Sequence, residues 1–177
     1  MPSKSNEFFK IGKQEENHWR GITLLGSNTT SFKFALAKSL IGFASTKAEI
    51  ITLEELAKPF SEFICDHLAS SDRQGTNPTS TFLQECRNFN LGKTDYDKLY
   101  STCISQGFRY VFDAFHKVSG EETPTKFFQV AGSGRNRSIR LTDDLMNLAS
   151  STQGSNFSVE VEARWKVVES AWELGVN

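Results

Sequence analysis

Along most of the chain, apolar residues recur three and four positions apart, the spacing that gathers them on one face of an α-helix. Phe32, Ala35, Leu36, Leu40 and Phe43 form the first such stripe, behind a 28–31 run rich in helix-capping side chains. Lys33 and Lys38 fall on other faces of that helix. Leu53, Leu56, Phe60, Phe63, Ile64 and Leu68 form the second stripe. It opens on Thr52 and Glu55, spaced for a capping box in which each side chain satisfies the other's backbone N–H. Pro59 lies inside it, and its missing N–H predicts a kink or a restart. Asn77-Pro78 predicts a third helix with proline at its first position, carrying Phe82, Leu83, Cys86 and Phe89. A fourth, capped by Thr94, carries Tyr96, Leu99, Tyr100, Cys103 and Ile104. Beyond Gly107 a fifth carries Phe108, Val111, Phe112 and Phe115. Ahead of them all, WRGITLLG reads as a short extended or turn segment, and residues 1–17 as a polar, flexible leader.

The period then changes. TKFFQV and RSIRLT are strand-like and flank the turn AGSGRN, which together predict a β-hairpin near residues 125–141. Thr142 caps the next helix, with Asp143 and Asp144 at its positive end. A last helix carries Val161, Trp165, Val168 and Trp172 in one stripe and stops at Gly175. The expected fold is mainly α: a single multi-helix domain over residues 18–177 with one β-hairpin.

Composition narrows the function. A chain of 177 residues with 15 phenylalanines has the size and apolar content for one real core. The formal charge of −1 argues against a generally basic, histone-like binder and leaves local patches open. No apolar run approaches a membrane span and the first residues carry no secretion signal, so a cytoplasmic location is expected. Cys65, Cys86 and Cys103 each sit on an apolar helical face and none belongs to a CxxC, so buried reduced thiols are expected. His18, His67 and His116 lie far apart without ligand spacing, and neither a metal nor a cofactor is expected.

Three stretches invite chemistry. LLGSNTTSFKFALAKSL looks like a phosphate loop, but the places that need Gly, Lys and Ser or Thr hold Ser31, Phe32 and Lys33. Any phosphate there would be held by the helix N-terminus and Lys33. Arg109 and His116, seven apart on one helix face, loosely resemble the Arg-x4–6-His motif of HEPN-type ribonucleases. Tyr110 stands where a small polar residue usually follows that arginine, and Asp113 is placed to pair with it. The hairpin sets Arg135, Arg137 and Arg140 on or beside a glycine-rich tip, with Lys126 on the facing strand. It resembles the wing of a winged-helix domain, where arginine forks grip phosphate oxygens. No helix carries an obvious base-reading set, so a grip without sequence readout is expected.

WRGITLLGSNTTSFKFALAKSL, FICDHLASSDRQGTNPTSTFLQECRNF, and the pair IRLTDDLMNLA and VEVEARWKVVESAWELGV together resemble the N-terminal region of bacterial HNH endonuclease-like proteins. Those proteins occur among restriction and phage-defence genes, and the resemblance covers most of residues 19–177. In that family a ββα-metal nuclease with an Asp-His pair and zinc-holding cysteines follows this region, and no position here matches its catalytic residues. The resemblance therefore implies a non-catalytic module, a fragment or a homologue, that engages DNA or a nuclease partner chain. Two rivals stand beside it. One is a protein–protein adaptor or homo-oligomer in which the Trp165 and Trp172 stripe, or some of the many phenylalanines, is exposed as an interface. The other is a HEPN-like ribonuclease whose dimer pairs two Arg109/His116 sets.

Overall fold

Eight α-helices and five short strands make up the described residues, 13–176, of the computed structural model. Helix α1 (Gln14–Arg20) runs straight into a π-helical turn, Gly21–Leu25. This corrects the expectation for WRGITLLG, which is helical rather than extended. Trp19 and Ile22, three apart, are both fully buried, and the Thr23 hydroxyl donates to the Trp19 carbonyl within the turn. The ordered chain thus includes Gln14–Asn17, expected in the flexible leader, whose first twelve residues lie outside the described ones.

Helix α2 (Phe32–Ser45) follows without a side-chain cap. Ser31 already has helical dihedrals, and its N–H donates instead to the Gln74 carbonyl at 3.0 Å. Strand β1 (Ile50–Thr52) leads directly into α3 (Leu53–Ser70). The capping box is present: the Glu55 N–H donates to Thr52 Oγ1 at 3.1 Å, and the Thr52 N–H to Glu55 Oε2 at 2.8 Å. Thr52→Ala removes one half of it and is expected to cost about 1 kcal/mol in urea unfolding. Helix α3 passes through Pro59 without restarting.

Helix α4 (Thr81–Asn90) starts at a Ser80 cap, not at Asn77-Pro78. The Asn77 side chain accepts the Thr79 N–H at 2.9 Å, a local turn that holds the chain out of helix there. Helix α5 (Tyr96–Thr102) is capped by Asp95, which accepts the Lys98 N–H at 2.9 Å, rather than by Thr94. It runs into a second π-helical turn, Cys103–Gly107, and then α6 (Val111–Phe115) is a single short turn.

The hairpin is present as β4 (Phe128–Ala131) and β5 (Ser138–Leu141). Strand β1 adds to the far side of β5, giving an antiparallel sheet of order β1-β5-β4 in which Ile51 faces Ile139. A second small hairpin, β2 (Lys117–Val118) and β3 (Glu121–Glu122), turns through Ser119 and Gly120. Helix α7 (Asp143–Ser150) has its Thr142 cap, and α8 (Gly154–Glu173) closes the fold.

Helix α2 lies at the centre, against α3, α7 and α8. Trp165 of α8 stacks on Phe34 and lies flat on His67, 3.5 Å away with 5° between the rings. Around that pair a buried polar network ties α8 to α2 and α3. His67 Nδ1 meets Glu169 Oε1 at 2.6 Å, its Nε2 meets Glu162 Oε2 at 3.2 Å, and Lys38 reaches Glu162 at 2.6 Å. The Gln74 amide donates to Glu169 and accepts the Trp165 indole N–H at 2.9 Å. Trp165 and Trp172 are therefore buried, and the stripe faces the core rather than a partner. Cys65, Cys86 and Cys103 are buried free thiols, and burial pushes the Cys86 and Cys103 thiols far up. No helix among the described residues is long and apolar enough to cross a membrane.

Candidate nucleic-acid interface

Tyr96 and Tyr100 are four apart on α5 and so share one face. Their ring centroids are 5.5 Å apart, and Phe89 of α4 lies 4.8 Å from Tyr96. In this row of three rings Tyr96 is 54% exposed, whereas Phe89 and Tyr100 are half-buried against the core. Between the tyrosines, Leu99 points inward and anchors the helix in the core.

The row ends in a cleft of about 500 Å³ bounded by α5, the start of α3 and the hairpin tip. Tyr100 and Ile104 supply its apolar side, and Lys58, Arg135 and Arg137 its cations. Glycine shapes the tip. At Gly132, with φ of 79°, a Cβ would stand 2.6 Å from the Asn136 carbonyl oxygen. A single 3-10 turn, Gly134–Asn136, then presents Arg135 to solvent. Arg137 is oriented more firmly: its Nε–H donates to the Gly134 carbonyl at 3.0 Å, and its guanidinium sits 5.8 Å from the Phe112 ring. Glu54 and Asp97 also line the cleft, leaving an excess of one positive charge among these five side chains.

The other cations named from sequence do not join this pair. Arg140 lies on the exposed face of β5, opposite the buried Ile139 and Leu141, because side chains alternate along a strand. It lies beside Gln129 in register and lines a separate groove with Lys47 and Asn147. Lys126 is ion-paired to Glu122 at 2.6 Å and lines a third groove. Lys33 is buried beneath the segment preceding α2, which corrects its placement on an outer face.

Arg109 and His116 do not share a helix. The π-helical turn ends at Gly107, Arg109 lies in the turn that follows, and His116 caps the C-terminus of α6. The Arg109 guanidinium rests 5.2 Å from the Tyr110 ring. His116 is buried against Phe127 and Phe128, and its Nε2 accepts the Phe127 N–H at 2.9 Å. Burial, with Lys126 nearby, pushes its pKa down to about 4. It is a neutral acceptor at physiological pH, with Nε2 already engaged. His18 Nδ1 meets Thr125 Oγ1 at 2.6 Å, and no metal-binding cluster of three or more ligating side chains occurs among the described residues.

Sequence reading assigns the aromatic row to the core; Phe89 and Tyr100 do pack against it, and Tyr96 lies outside. Its signal is the hydroxyls: a stripe whose members 96 and 100 are tyrosine and whose members 99 and 103 are Leu and Cys has an outer and an inner edge. Compared with known proteins, the chain matches no family model, no curated protein and no solved structure.

Proposed function

We propose that the protein is a non-catalytic nucleic-acid-binding module that holds a single strand of DNA at the hairpin tip. The observation that carries this reading is that Tyr100 lines one cleft with Arg135, Arg137 and Lys58, while the exposed Tyr96 ring lies 5.5 Å from it. Bases stack on open aromatic rings whatever their identity, and arginine forks beside the rings take the phosphates. Duplex DNA hides its base faces, so it would use only the cations. The small charge excess keeps the grip modest. The resemblance of the sequence to the N-terminal region of HNH endonuclease-like proteins is the ground for proposing that a partner chain supplies a nuclease to this grip.

Fluorescence anisotropy with labelled oligonucleotides across a salt series tests this. Single strands are expected to bind more tightly than duplex, with a log–log salt slope of roughly −2, from about −0.7 for each of three contacted phosphates. Tyr96→Ala with Tyr100→Ala is expected to cost about 1–3 kcal/mol per stacked base. Arg135→Ala with Arg137→Ala should flatten the salt slope. A wild-type affinity indifferent to salt, or unaffected tyrosine variants, would refute the proposal.

A further inference from the structure

A second cleft, of about 400 Å³, lies between the segment preceding α2, α6 and the β2–β3 turn. Its volume is in the range of small-molecule sites. Phe32 and Val111 line it with apolar surface, Tyr110 stands at it 70% exposed, and Ser27, Asn28, Thr29 and Thr30 form part of its wall. Its charged lining is Lys33 and Lys117, with no carboxylate, whereas the tip cleft and the sheet-face groove set carboxylates among their cations.

Lys33 is the unusual member. It is only 8% exposed, yet among the described residues its ammonium makes one hydrogen bond, a long one of 3.4 Å to the Ser27 carbonyl. An ammonium carries three donors, and a buried cation without a counter-charge is costly. The fold makes room for it all the same: a Cβ at Gly26 would stand 2.5 Å from Lys33 Nζ and 2.9 Å from the Ile22 carbonyl oxygen. The glycine of the LLGSNTTS run thus accommodates a lysine, not a phosphate loop. Arg164 adds a second positive charge close enough to act on Lys33, and its Nε is buried with no hydrogen-bond partner.

We infer that this cleft binds a small organic anion, its carboxylate or phosphate group on Lys33 and its flat apolar body against Phe32, Val111 and Tyr110. The anion supplies the acceptors and the counter-charge that the wall lacks. The site is separate from the strand-binding face, and the two stand or fall independently.

Thermal unfolding of the full chain with phenyl phosphate and benzoate as probes tests the inference. Both are expected to raise the midpoint in a concentration-dependent way, while neutral benzyl alcohol does not and inorganic phosphate does so more weakly. Lys33→Met should demand roughly tenfold more probe for the same shift, the loss of one charged contact. Tyr110→Ala, at an exposed side chain, should weaken phenyl phosphate and leave inorganic phosphate unchanged, and it serves if Lys33→Met does not fold. Oligonucleotide affinity should be the same in Lys33→Met and wild type. The inference is overturned if no probe shifts the midpoint, if benzyl alcohol matches the anions, if inorganic phosphate matches phenyl phosphate, or if the variants respond like wild type.

Discussion

Glu169→Ala is expected to lower stability by about 3–5 kcal/mol, the cost of removing one partner from a buried, hydrogen-bonded polar network. The carboxylate accepts from Gln74 and pairs with His67 Nδ1 at 2.6 Å, and all three side chains are buried. Truncation takes the acceptor from one Gln74 N–H and from His67 Nδ1 in a buried setting, leaving Gln74 its bond to the Ser71 carbonyl and His67 its contact with Glu162. For a chain of this size the thermal midpoint should fall by roughly 10 °C. Glu169→Gln keeps one amide oxygen as acceptor and should lose less than half as much. Urea and thermal unfolding of the three proteins settle the order. Near-equal stability of wild type and Glu169→Ala would mean that the network relaxes around the loss.

Lys33→Met is expected to act in the opposite direction. Burial first, and then the Arg164 charge, pushes the Lys33 pKa down to about 8 from an ordinary 10.5. A lysine whose pKa is lowered by folding opposes folding wherever both states are charged, that is, below about pH 8. The opposition is relieved as pH rises from about 8 to 10.5, because in that window the unfolded chain binds the proton and the folded chain does not. The full penalty is about 3 kcal/mol. Methionine fills similar volume without the charge, so the variant should be more stable at neutral pH by up to about that amount. The gap between variant and wild type should close toward pH 10.5. Chemical denaturation in parallel pH series measures it, and a gap that is constant with pH would rule out the charge as its source.

How much of this was legible in the sequence varies with the range of the interaction. The Thr52–Glu55 box, the Thr142 cap and the 125–141 hairpin rest on residues a few positions apart, and all are present. Two helix starts slipped by one to three residues, because Ser80 and Asp95 compete with nearby Asn77 and Thr94 and only the surrounding packing selects between them. Strand β1 was invisible: Ile50–Thr52 is too short to show alternation, and its partner β5 lies almost ninety residues on. The Arg109/His116 pairing failed because the chain leaves the helix between Gly107 and Val111, so Arg109 lies in a turn and His116 closes a separate short helix. At the tip, Arg135 and Arg137 were readable as a pair, whereas their aromatic neighbours arrive from α4 and α5. Gly26 was noticed for the wrong reason, since its steric role depends on where Lys33 ends up.

The polar joint at Gln74 has a consequence for the order in which the molecule is made. Its bonds to Trp165 and Glu169 span 91 and 95 residues, and the Gln74 backbone in turn holds the residue ahead of α2. Contacts so distant in sequence form late, since a long loop must close before they reward it. On a ribosome, which releases the N-terminus first, the Phe34 side of α2 therefore stays bare until Trp165 emerges. During that interval this apolar face is open to chaperones and to misassociation.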